Sequence, residues 1–222
     1  MQYGVAFIDE PALLVSDIHC GCGSCKVRNI AYLAAKEGAS LIVLGDLFDK
    51  LHTNMDKLTL ERALSTAFKQ VKGVDVYYVV SRSSHDPLLD HEMFFDLGQV
   101  RVHVYPSALV AQLGGLRAFL THGDLAMRNG AHAFIVNTTA TLFGTKLYLE
   151  KRLREKLRLP QSWWLIMGHT HIPGIDYEAK VANTGSWRGT WVYGAPYWRP
   201  PSDTFILVER GYVKLLAARE GL

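Results

Sequence analysis

The sequence contains only three cysteines, no long hydrophobic run and no strong excess of either charge. A membrane-spanning helix would need about eighteen or more consecutive apolar residues, and the sequence has no such run. The first fifteen residues lack a basic segment and are interrupted by Asp9, Glu10 and Pro11, so they do not resemble a signal peptide. These absences predict an intracellular, cytoplasmic protein.

The three cysteines, Cys20, Cys22 and Cys25, all fall in the segment "HCGCGSC". An odd number of cysteines cannot form a closed disulfide framework, and three thiols without a nearby fourth ligand make a poor closed zinc site. We therefore expect structural cysteines with reduced thiols.

The net charge and composition of the chain exclude few further classes of protein. The chain has 24 basic and 21 acidic residues, a net charge of +3, which is too weakly basic to indicate nucleic-acid binding by itself. No linker rich in Pro, Gly or Ser divides the 222 residues. We predict one domain, 1–222, with a helical cap-like insertion at about 125–160.

Short apolar runs alternate with segments of helical pattern. The runs are "ALLVS", "SLIVLG", "VDVYYVVS", "LRAFLTHG" and "WWLIMG", and residues 26–37 and 57–71 between the first three fit helices. Alternation of this kind predicts an α/β layered fold. Such folds collect their functional groups beyond the carboxyl ends of the strands.

Each of the five apolar runs is followed by Asp or His. The side chains at these five corners are Asp17 and His19, Asp46 and Asp49, His85 and Asp86, His122 and Asp124, and His169 and His171. A single corner of this kind is an ordinary polar turn, and a single histidine is more often a hydrogen-bonded structural residue than a ligand. Five consecutive polar corners instead predict a site.

The residue types and spacings suit a metal centre. In "DIH" and "HTH", residues two apart on an extended segment point to the same side, so each motif can present two ligands. Asp46 would be costly as a lone buried charge, and bridging two cations would remove that cost. Imidazole and carboxylate ligands together favour manganese, zinc or iron.

In order and spacing these motifs resemble the calcineurin-like metallophosphoesterase superfamily, whose signature is D-x-H, G-D-x-x-D, G-N-H-[DE], H and G-H-x-H. The match runs from Asp17 to His171, and "NTGSW" (183–187) resembles the segment that often follows. The resemblance implies an α/β four-layer sandwich with two mixed β-sheets flanked by helices.

The resemblance also implies two divalent metal ions, with manganese expected and iron, zinc or nickel as alternatives. The first metal would take Asp17, His19, Asp46 and His171. The second would share Asp46 and take His122, His169 and Ser84. His85 would be the catalytic histidine, and Asp86 would orient it or cap the loop. Asp49 and Asp124 would hold ligand histidines from behind.

The sequence departs from the family pattern at "SRSSHDP". Ser83 stands at the family's glycine position and Ser84 at its asparagine position. A serine hydroxyl is shorter than an asparagine amide and a poorer metal ligand while protonated. We therefore expect a weakened second metal site.

The motifs predict a divalent-metal-dependent phosphoesterase that hydrolyses a phosphomonoester or phosphodiester by attack of a metal-bridging hydroxide, with His85 assisting the leaving group. A nuclease of the same superfamily is one alternative. A non-catalytic binding scaffold that keeps the fold is another. His85 distinguishes the scaffold, because a binding module has no chemical reason to keep it.

The substrate is expected to be a phosphorylated small molecule or a nucleotide. A basic helix is predicted at 144–158, with Leu142, Leu149, Leu153 and Leu157 on one stripe. It is either packed on the sheet with a solvated basic face, or a cap that recruits an anionic substrate or touches an anionic membrane surface. In the placement of this helix and in "HGD" and "GHTHIP", the chain looks similar to the UDP-diacylglucosamine pyrophosphatase branch. That branch usually has Arg at the position of His85, so its lipid substrate is not expected here. The aromatic segment 187–198 suits a core, a homodimer contact or a nucleobase-stacking surface.

Overall fold

The alternating apolar runs form the centre of two β-sheets in the computed structural model, which describes residues 3–21, 25–49, 55–82, 85–190 and 196–218. The strands in these ranges are β1 Gly4–Ile8, β2 Ala12–Val15, β3 Ser40–Leu44, β4 Val74–Val80, β5 Met93–Asp96, β6 Val100–Pro106, β7 Ala108–Leu113, β8 Leu116–Thr121, β9 Trp164–Met167, β10 Gly174–Asp176, β11 Val181–Asn183, β12 Thr204–Glu209 and β13 Tyr212–Ala217. The helices are α1 Val27–Lys36, α2 Lys57–Ala67, α3 Gly130–Leu142 and α4 Tyr148–Leu157.

One sheet has seven strands in the order β13-β12-β2-β3-β4-β6-β5. Its central strands β2, β3, β4 and β6 are parallel, whereas β12, β13 and β5 join the sheet in antiparallel pairs. Because the central strands run the same way, the corners after β2, β3 and β4 lie at one edge of the sheet.

The other sheet has six strands in the order β1-β7-β8-β9-β11-β10. The pairs β8–β9 and β9–β11 are parallel, and β7–β8 is antiparallel. The corners after β8 and β9 are therefore neighbours at one edge of this sheet.

Strand residues alternate between two cores, which explains why β2 and β3 are apolar at nearly every position. In β2, Leu13 and Val15 belong to the core shared with α1 and α2, and Leu14 belongs to the core between the sheets. On the far side of the six-stranded sheet, Leu165 of β9 packs with Leu153 of α4. The result is an α/β sandwich of two mixed sheets with helices outside, as the sequence predicted.

The first two helices begin and end close to their predicted limits. In α1, Val27, Ile30, Ala31 and Ala34 form one buried stripe. Helix α2 begins at its N-cap Asp56, whose side chain accepts a hydrogen bond from the backbone N–H of Thr59. It ends at Ala67, before the predicted 71.

The chain between β8 and β9 forms two helices, and this corrects the predicted stripe of the basic helix at 144–158. Leu142 ends α3 and is 81% exposed, whereas Leu149 and Leu153 of α4 are buried. The backbone is left-handed at Gly144 and Leu147, so the two helices cannot be continuous. Leu142 therefore does not share a stripe with the leucines of α4.

The basic residues of α4 are partly occupied by protein contacts. Lys151 pairs with Asp176 at 2.7 Å, and the guanidinium of Arg154 donates to the carbonyl oxygen of Trp163 at 2.6 Å. Contact of this helix with a membrane surface stays a prediction. In the part of the chain that the structure describes, every helix is too short or too polar to cross a membrane.

Candidate metal centre

The predicted ligands from four strand ends meet where the two sheets face each other. Ligand atoms lie within 4.8 Å of one another in three groups, which are Asp17 with His19 and His171, Asp17 with Asp46 and His122, and His19 with Asp49 and His85. Ser83 and Ser84 lie outside the described residues, so the structure does not place the predicted ligand Ser84.

Five of the predicted metal ligands have a left-handed backbone, which glycine adopts with the least strain. The φ angles are 52° for Asp17, 55° for His19, 50° for Asp46, 68° for His169 and 57° for His171. Such conformations cost on the order of 1 to 3 kcal/mol each and persist only where surrounding contacts impose them. Other described residues, such as Gln70 and Arg158, also have a positive φ, but this conformation recurs at all the described ligand candidates except His122.

Asp17 is fully buried at the centre of this cluster. Its Oδ2 accepts hydrogen bonds from the backbone N–H of His169 at 2.9 Å and from the hydroxyl of Ser16. Its Oδ1 makes no hydrogen bond among the described residues and lies 3.0 Å from Nε2 of His171. Burial alone would raise the pKa of Asp17, but the imidazoles of His171 and His122 hold it well below its ordinary value.

Asp46 lies between the two ligand groups. Its Oδ2 is 3.6 Å from Nε2 of His19, and its Oδ1 is 3.6 Å from Nε2 of His122 and accepts a hydrogen bond from the hydroxyl of Ser81 at 2.7 Å. Burial opposes ionisation of Asp46, yet His122 and His19 lower its pKa below the ordinary value. The two oxygens thus face imidazole nitrogens on two sides of the carboxylate.

The imidazole of His19 has one nitrogen in a hydrogen bond and one that is available to bind a metal. Its Nδ1 is hydrogen-bonded to Oδ1 of Asp49 at 3.0 Å, while its buried Nε2 has no hydrogen-bond partner among the described residues. Burial lowers the pKa of His19, against the opposing effect of Asp49. This neutral ring with a free nitrogen and a carboxylate behind it is the arrangement typical of metal-binding histidines.

His122 and His169 show the same pattern with backbone carbonyl groups as partners. Nδ1 of His122 is 3.0 Å from the carbonyl oxygen of Leu44, and Nε2 of His169 is 2.7 Å from that of Met127. The remaining nitrogens, Nε2 of His122 and Nδ1 of His169, face each other at 2.9 Å. Two lone pairs are thereby directed to one place.

The donor atoms at this site fit a divalent metal ion. Asp46 lies close to Asp17, His19 and His122, and His169 faces His122, so donor atoms from four strand ends lie together. Imidazole nitrogen and carboxylate oxygen are the donors that zinc, manganese and iron accept. The chemistry of the donors thus agrees with the cofactor inferred from the motifs.

His85 lies at the mouth of the cluster. Its side chain is 31% exposed, its Nδ1 is 3.1 Å from Oδ1 of Asp49, and its ring meets the ring of His19 edge-on at 4.7 Å. Burial lowers its affinity for a proton, but the neighbouring carboxylates of Asp49 and Asp46 outweigh this effect and raise the pKa of His85. An imidazole in this position can donate a proton to a group in the cavity.

Asp86 faces away from the cavity and is fully buried. Its Oδ2 accepts hydrogen bonds from the backbone N–H groups of Asp46 and Ser81, both at 2.8 Å, and its Oδ1 accepts one from Leu47 at 3.1 Å. Burial and the charge of Asp46 raise its pKa to about 6. Of the two roles considered for Asp86, these contacts match the capping of the loop.

The two aspartates expected behind the ligand histidines differ. Asp49 contacts His19 and His85 as described, whereas Oδ2 of Asp124 accepts a hydrogen bond from the backbone N–H of Arg82 at 2.6 Å. Asp124 follows Gly123, whose φ of 121° turns the chain. The predicted contact of Asp124 with a ligand histidine is therefore replaced by a contact with the loop after β4.

The open side of the cluster is a cavity of about 220 Å³. Its other wall consists of the first residues of α3 and the segment after β11, namely Arg128, Asn129, Gly130, Ala131, Arg188, Tyr197, Trp198 and Arg199. The aromatic residues in this region differ in exposure. Trp187 is buried, and its Nε1 donates a hydrogen bond to the carbonyl oxygen of Thr204, whereas Trp198 is 50% exposed. Trp191 and Tyr193 lie outside the described residues.

The expectation of reduced thiols is wrong for two of the cysteines. Cys20 and Cys25 form a disulfide, and their Cα atoms are 4.5 Å apart, within bridging distance. The chain can return on itself here because Gly21 has a φ of 114°. Cys22 lies outside the described residues.

No family model matches the chain. It is similar in sequence to UDP-2,3-diacylglucosamine hydrolases, among them one from Escherichia coli strain HS and one from Escherichia fergusonii, each 27% identical over 204 residues that cover 76% of this chain and 79% of the relative. Among solved structures, Vps29 of Entamoeba histolytica with Zn²⁺ has a TM-score of 0.47 and 16% identity, covering 93% of this chain and 97% of that one. Vps29 of Cryptosporidium parvum has a TM-score of 0.45 and 16% identity, covering 93% and 96%.

The sequence relatives, the two-sheet sandwich and the convergence of the motif residues lead to one conclusion. The resemblance to the calcineurin-like metallophosphoesterase superfamily, predicted from the sequence motifs, is confirmed.

Proposed function

We propose that the protein is a divalent-metal-dependent phosphoesterase that hydrolyses a phosphomonoester or a phosphodiester. The observation that carries this proposal is the position of Asp46, whose two carboxylate oxygens lie 3.6 Å from imidazole nitrogens of His19 and His122. A carboxylate shared in this way suits a pair of cations, and paired cations are characteristic of phosphoryl-transfer sites.

The ligands divide into two sets around Asp46. Asp17, His19, Asp46 and His171 would hold the first cation. Asp46, His122, His169 and Ser84 would hold the second. Manganese is the proposed metal, with iron, zinc or nickel as alternatives. When bound, the cations would lower the pKa of a water molecule and neutralise charge on the phosphoryl group.

The side chains of the chain itself supply proton transfer and orientation. His85 is the proposed donor to the leaving oxygen, because it is partly exposed, borders the cavity and has a raised pKa. Asp49 orients both His85 and His19, since its Oδ1 lies 3.1 Å from one ring and 3.0 Å from the other. Asp86 holds the backbone of the loop that carries Asp46.

The wall opposite the ligands favours an anionic substrate. Arg188 and Arg199 border a cavity of about 220 Å³, together with Arg128 and the N-terminal end of α3. Arg188 is held in place by Asp49 at 3.2 Å and by the ring of Tyr197 at 4.5 Å. Guanidinium groups and free N–H groups at a helix N-terminus both bind phosphate.

The exposed ring of Trp198 favours a substrate with a planar group. Trp198 borders the cavity and contacts the guanidinium of Arg199 at 4.2 Å. Aromatic side chains stack on nucleobases and other rings, with about 1 to 3 kcal/mol for each stacked base. We therefore favour a nucleotide or another aromatic phosphoester, within the broader class of phosphorylated small molecules.

The proposal is tested with protein freed of metal by a chelator and assayed on 4-nitrophenyl phosphate and bis(4-nitrophenyl) phosphate. Activity should return on addition of Mn²⁺, and the ratio of the two rates would distinguish a monoesterase from a diesterase. Activity that is indifferent to chelation would contradict the proposal. Metal binding without turnover on any phosphoester would favour the scaffold alternative.

A further inference from the structure

Glu150 places a carboxylate in the interior beneath the loop that carries His169 and His171. Its side chain is fully buried although it belongs to α4, whose other acidic residue, Glu155, is exposed. Oε2 accepts a hydrogen bond from Nδ2 of Asn137 at 2.8 Å, and Oε1 accepts one from Nδ2 of Asn183 at 2.7 Å and one from the hydroxyl of Thr170 at 3.2 Å.

The partners of Glu150 come from three separate parts of the chain. Asn137 lies in α3, Thr170 in the loop after β9, and Asn183 at the end of β11. All three are uncharged, and within the part of the chain that the structure describes the carboxylate is buried without an ion pair. Burial of a carboxylate is costly, and burial raises the pKa of Glu150 against the lowering effect of these hydrogen bonds. A surface position on α4 would avoid this cost.

Thr170 is the partner that connects Glu150 to the metal centre. It stands between His169 and His171, whose φ angles of 68° and 57° are both left-handed. Its hydroxyl donates to Glu150 and accepts a hydrogen bond from Asn183 at 3.0 Å, while its backbone N–H donates to the carbonyl oxygen of Gly168 at 2.8 Å. The strained loop is thus held at its middle residue.

We propose that Glu150 is a positioning residue for the metal centre. Through Thr170 it holds the backbone in the conformation in which the imidazoles of His169 and His171 both reach the site. The helical segment between β8 and β9 thereby sets metal affinity without contributing a ligand. The inference rests on the proposed function only in taking these two histidines as metal ligands.

The test measures the Mn²⁺ dissociation constants by calorimetry on protein freed of metal. Glu150→Gln and Thr170→Val should each weaken binding by about 10- to 100-fold, the range typical of residues that orient metal ligands. Thr170→Ser keeps the hydroxyl and should bind like the wild type. Glu155→Gln, on the exposed side of the same helix, is the matched control and should also bind like the wild type.

The double variant Glu150→Gln/Thr170→Val distinguishes a shared role from two separate ones. It should bind Mn²⁺ no more weakly than the weaker of the two single variants, because both remove the same link. Additive losses would overturn the inference, as would Thr170→Val with wild-type affinity. If Glu150→Gln does not fold, the comparison of Thr170→Val with Thr170→Ser still decides the question.

The same measurements separate this inference from the proposed function. If the wild type binds Mn²⁺ and the Glu150 and Thr170 variants bind it more weakly while none hydrolyses a phosphoester, the positioning role stands and the catalytic proposal fails. If the wild type hydrolyses phosphoesters and the variants bind Mn²⁺ unchanged, only the positioning role fails. If the wild type binds no metal, both are refuted.

Discussion

Nε2 of His122 lies 2.9 Å from Nδ1 of His169 in the interior, and each ring has its other nitrogen bound to a backbone carbonyl group. The two rings cannot readily be protonated at the same time, because their charges would repel. Burial opposes the charged form of His122, but Asp46 and Asp17 raise its pKa to about 9, whereas burial and the charge of His122 lower the pKa of His169 to about 4. A bound cation would replace the proton that His122 holds between the two rings, and both facing nitrogens would then be free to bind it.

Metal should therefore stabilise the fold. At free Mn²⁺ about a hundredfold above the dissociation constant, one bound ion contributes about 2.7 kcal/mol. For a chain of this size each kcal/mol raises the midpoint of thermal unfolding by about 2 to 4 °C. His122→Ala should show a smaller rise, because the second site loses a ligand.

Differential scanning fluorimetry with and without Mn²⁺ measures this effect. His91→Ala, which removes an exposed histidine, should respond like the wild type. An equal rise in all three proteins would contradict the role of His122.

Replacement of His85 should impair chemistry and leave metal binding intact. His85→Ala should lower kcat by about 10²- to 10⁴-fold, the usual contribution of a general acid. The loss should be smaller for 4-nitrophenyl phosphate than for an alkyl phosphate, since 4-nitrophenolate leaves readily without a proton. Metal content after dialysis is the control, and equal losses on both substrates would argue against proton donation by His85.

Asp86→Asn should destabilise the protein although Asp86 does not face the cavity. The carboxylate accepts backbone N–H groups with both oxygens, from Asp46 and Ser81 on one side and Leu47 on the other. An amide would present N–H groups to one of these sides, at about 1 to 3 kcal/mol for each unsatisfied buried group. Urea unfolding measures the loss, with exposed Asp90→Asn as the matched control. A variant as stable as that control would show that the cap is dispensable.

The strand-end corners of the site were predictable because their signals are local. Asp46 directly follows the apolar strand "SLIVL", and a carboxylate there has to meet other groups at the edge of the sheet. The two helices that flank the first parallel strands were predictable for the same reason, since α1 carries its own apolar stripe.

The supports of the site were not predictable, because they depend on contacts between distant residues. Glu150 looks solvent-exposed in a run of basic residues, and its burial follows from Asn183, 33 positions further along the chain. The hydroxyl of Ser16, which donates to Asp17, lies 2.7 Å from the hydroxyl of Thr184, a residue 168 positions further along the chain. By contrast, the break before α4 had a visible signal in Gly144, which ends helices through its left-handed backbone.

The titration of Glu150 should make stability depend on pH in a defined direction. Burial raises its pKa in the folded protein above that of the unfolded chain, so the folded state binds the proton more tightly. The stability from this group is complete below the unfolded pKa and is lost as the pH rises through the folded pKa. Glu150→Gln cannot titrate at this position.

The free energy of unfolding of the wild type minus that of Glu150→Gln should therefore decrease as the pH rises from the ordinary range of a glutamate carboxyl toward neutrality. Urea titrations of metal-free protein at several pH values measure this difference, in which contributions of other groups cancel. A difference that is constant or increases with pH would contradict the raised pKa.

Ser84→Asn should tighten the second metal site. Among the residues proposed for this site, Asp46, His122 and His169 are strong donors, whereas the serine at position 84 offers only a hydroxyl where the family signature has an amide oxygen. Fewer strong donors mean a higher dissociation constant, so the wild type should fill the site of Asp17, His19, Asp46 and His171 first.

The activity of the wild type should keep rising with Mn²⁺ after one equivalent is bound. The added amide should lower the second dissociation constant about tenfold, on the order of 1.4 kcal/mol. Calorimetric titration of both proteins and metal analysis after dialysis measure the change, with exposed Ser162→Asn as the matched control. If the wild type retains two ions as tightly as Ser84→Asn, the serine does not weaken the site.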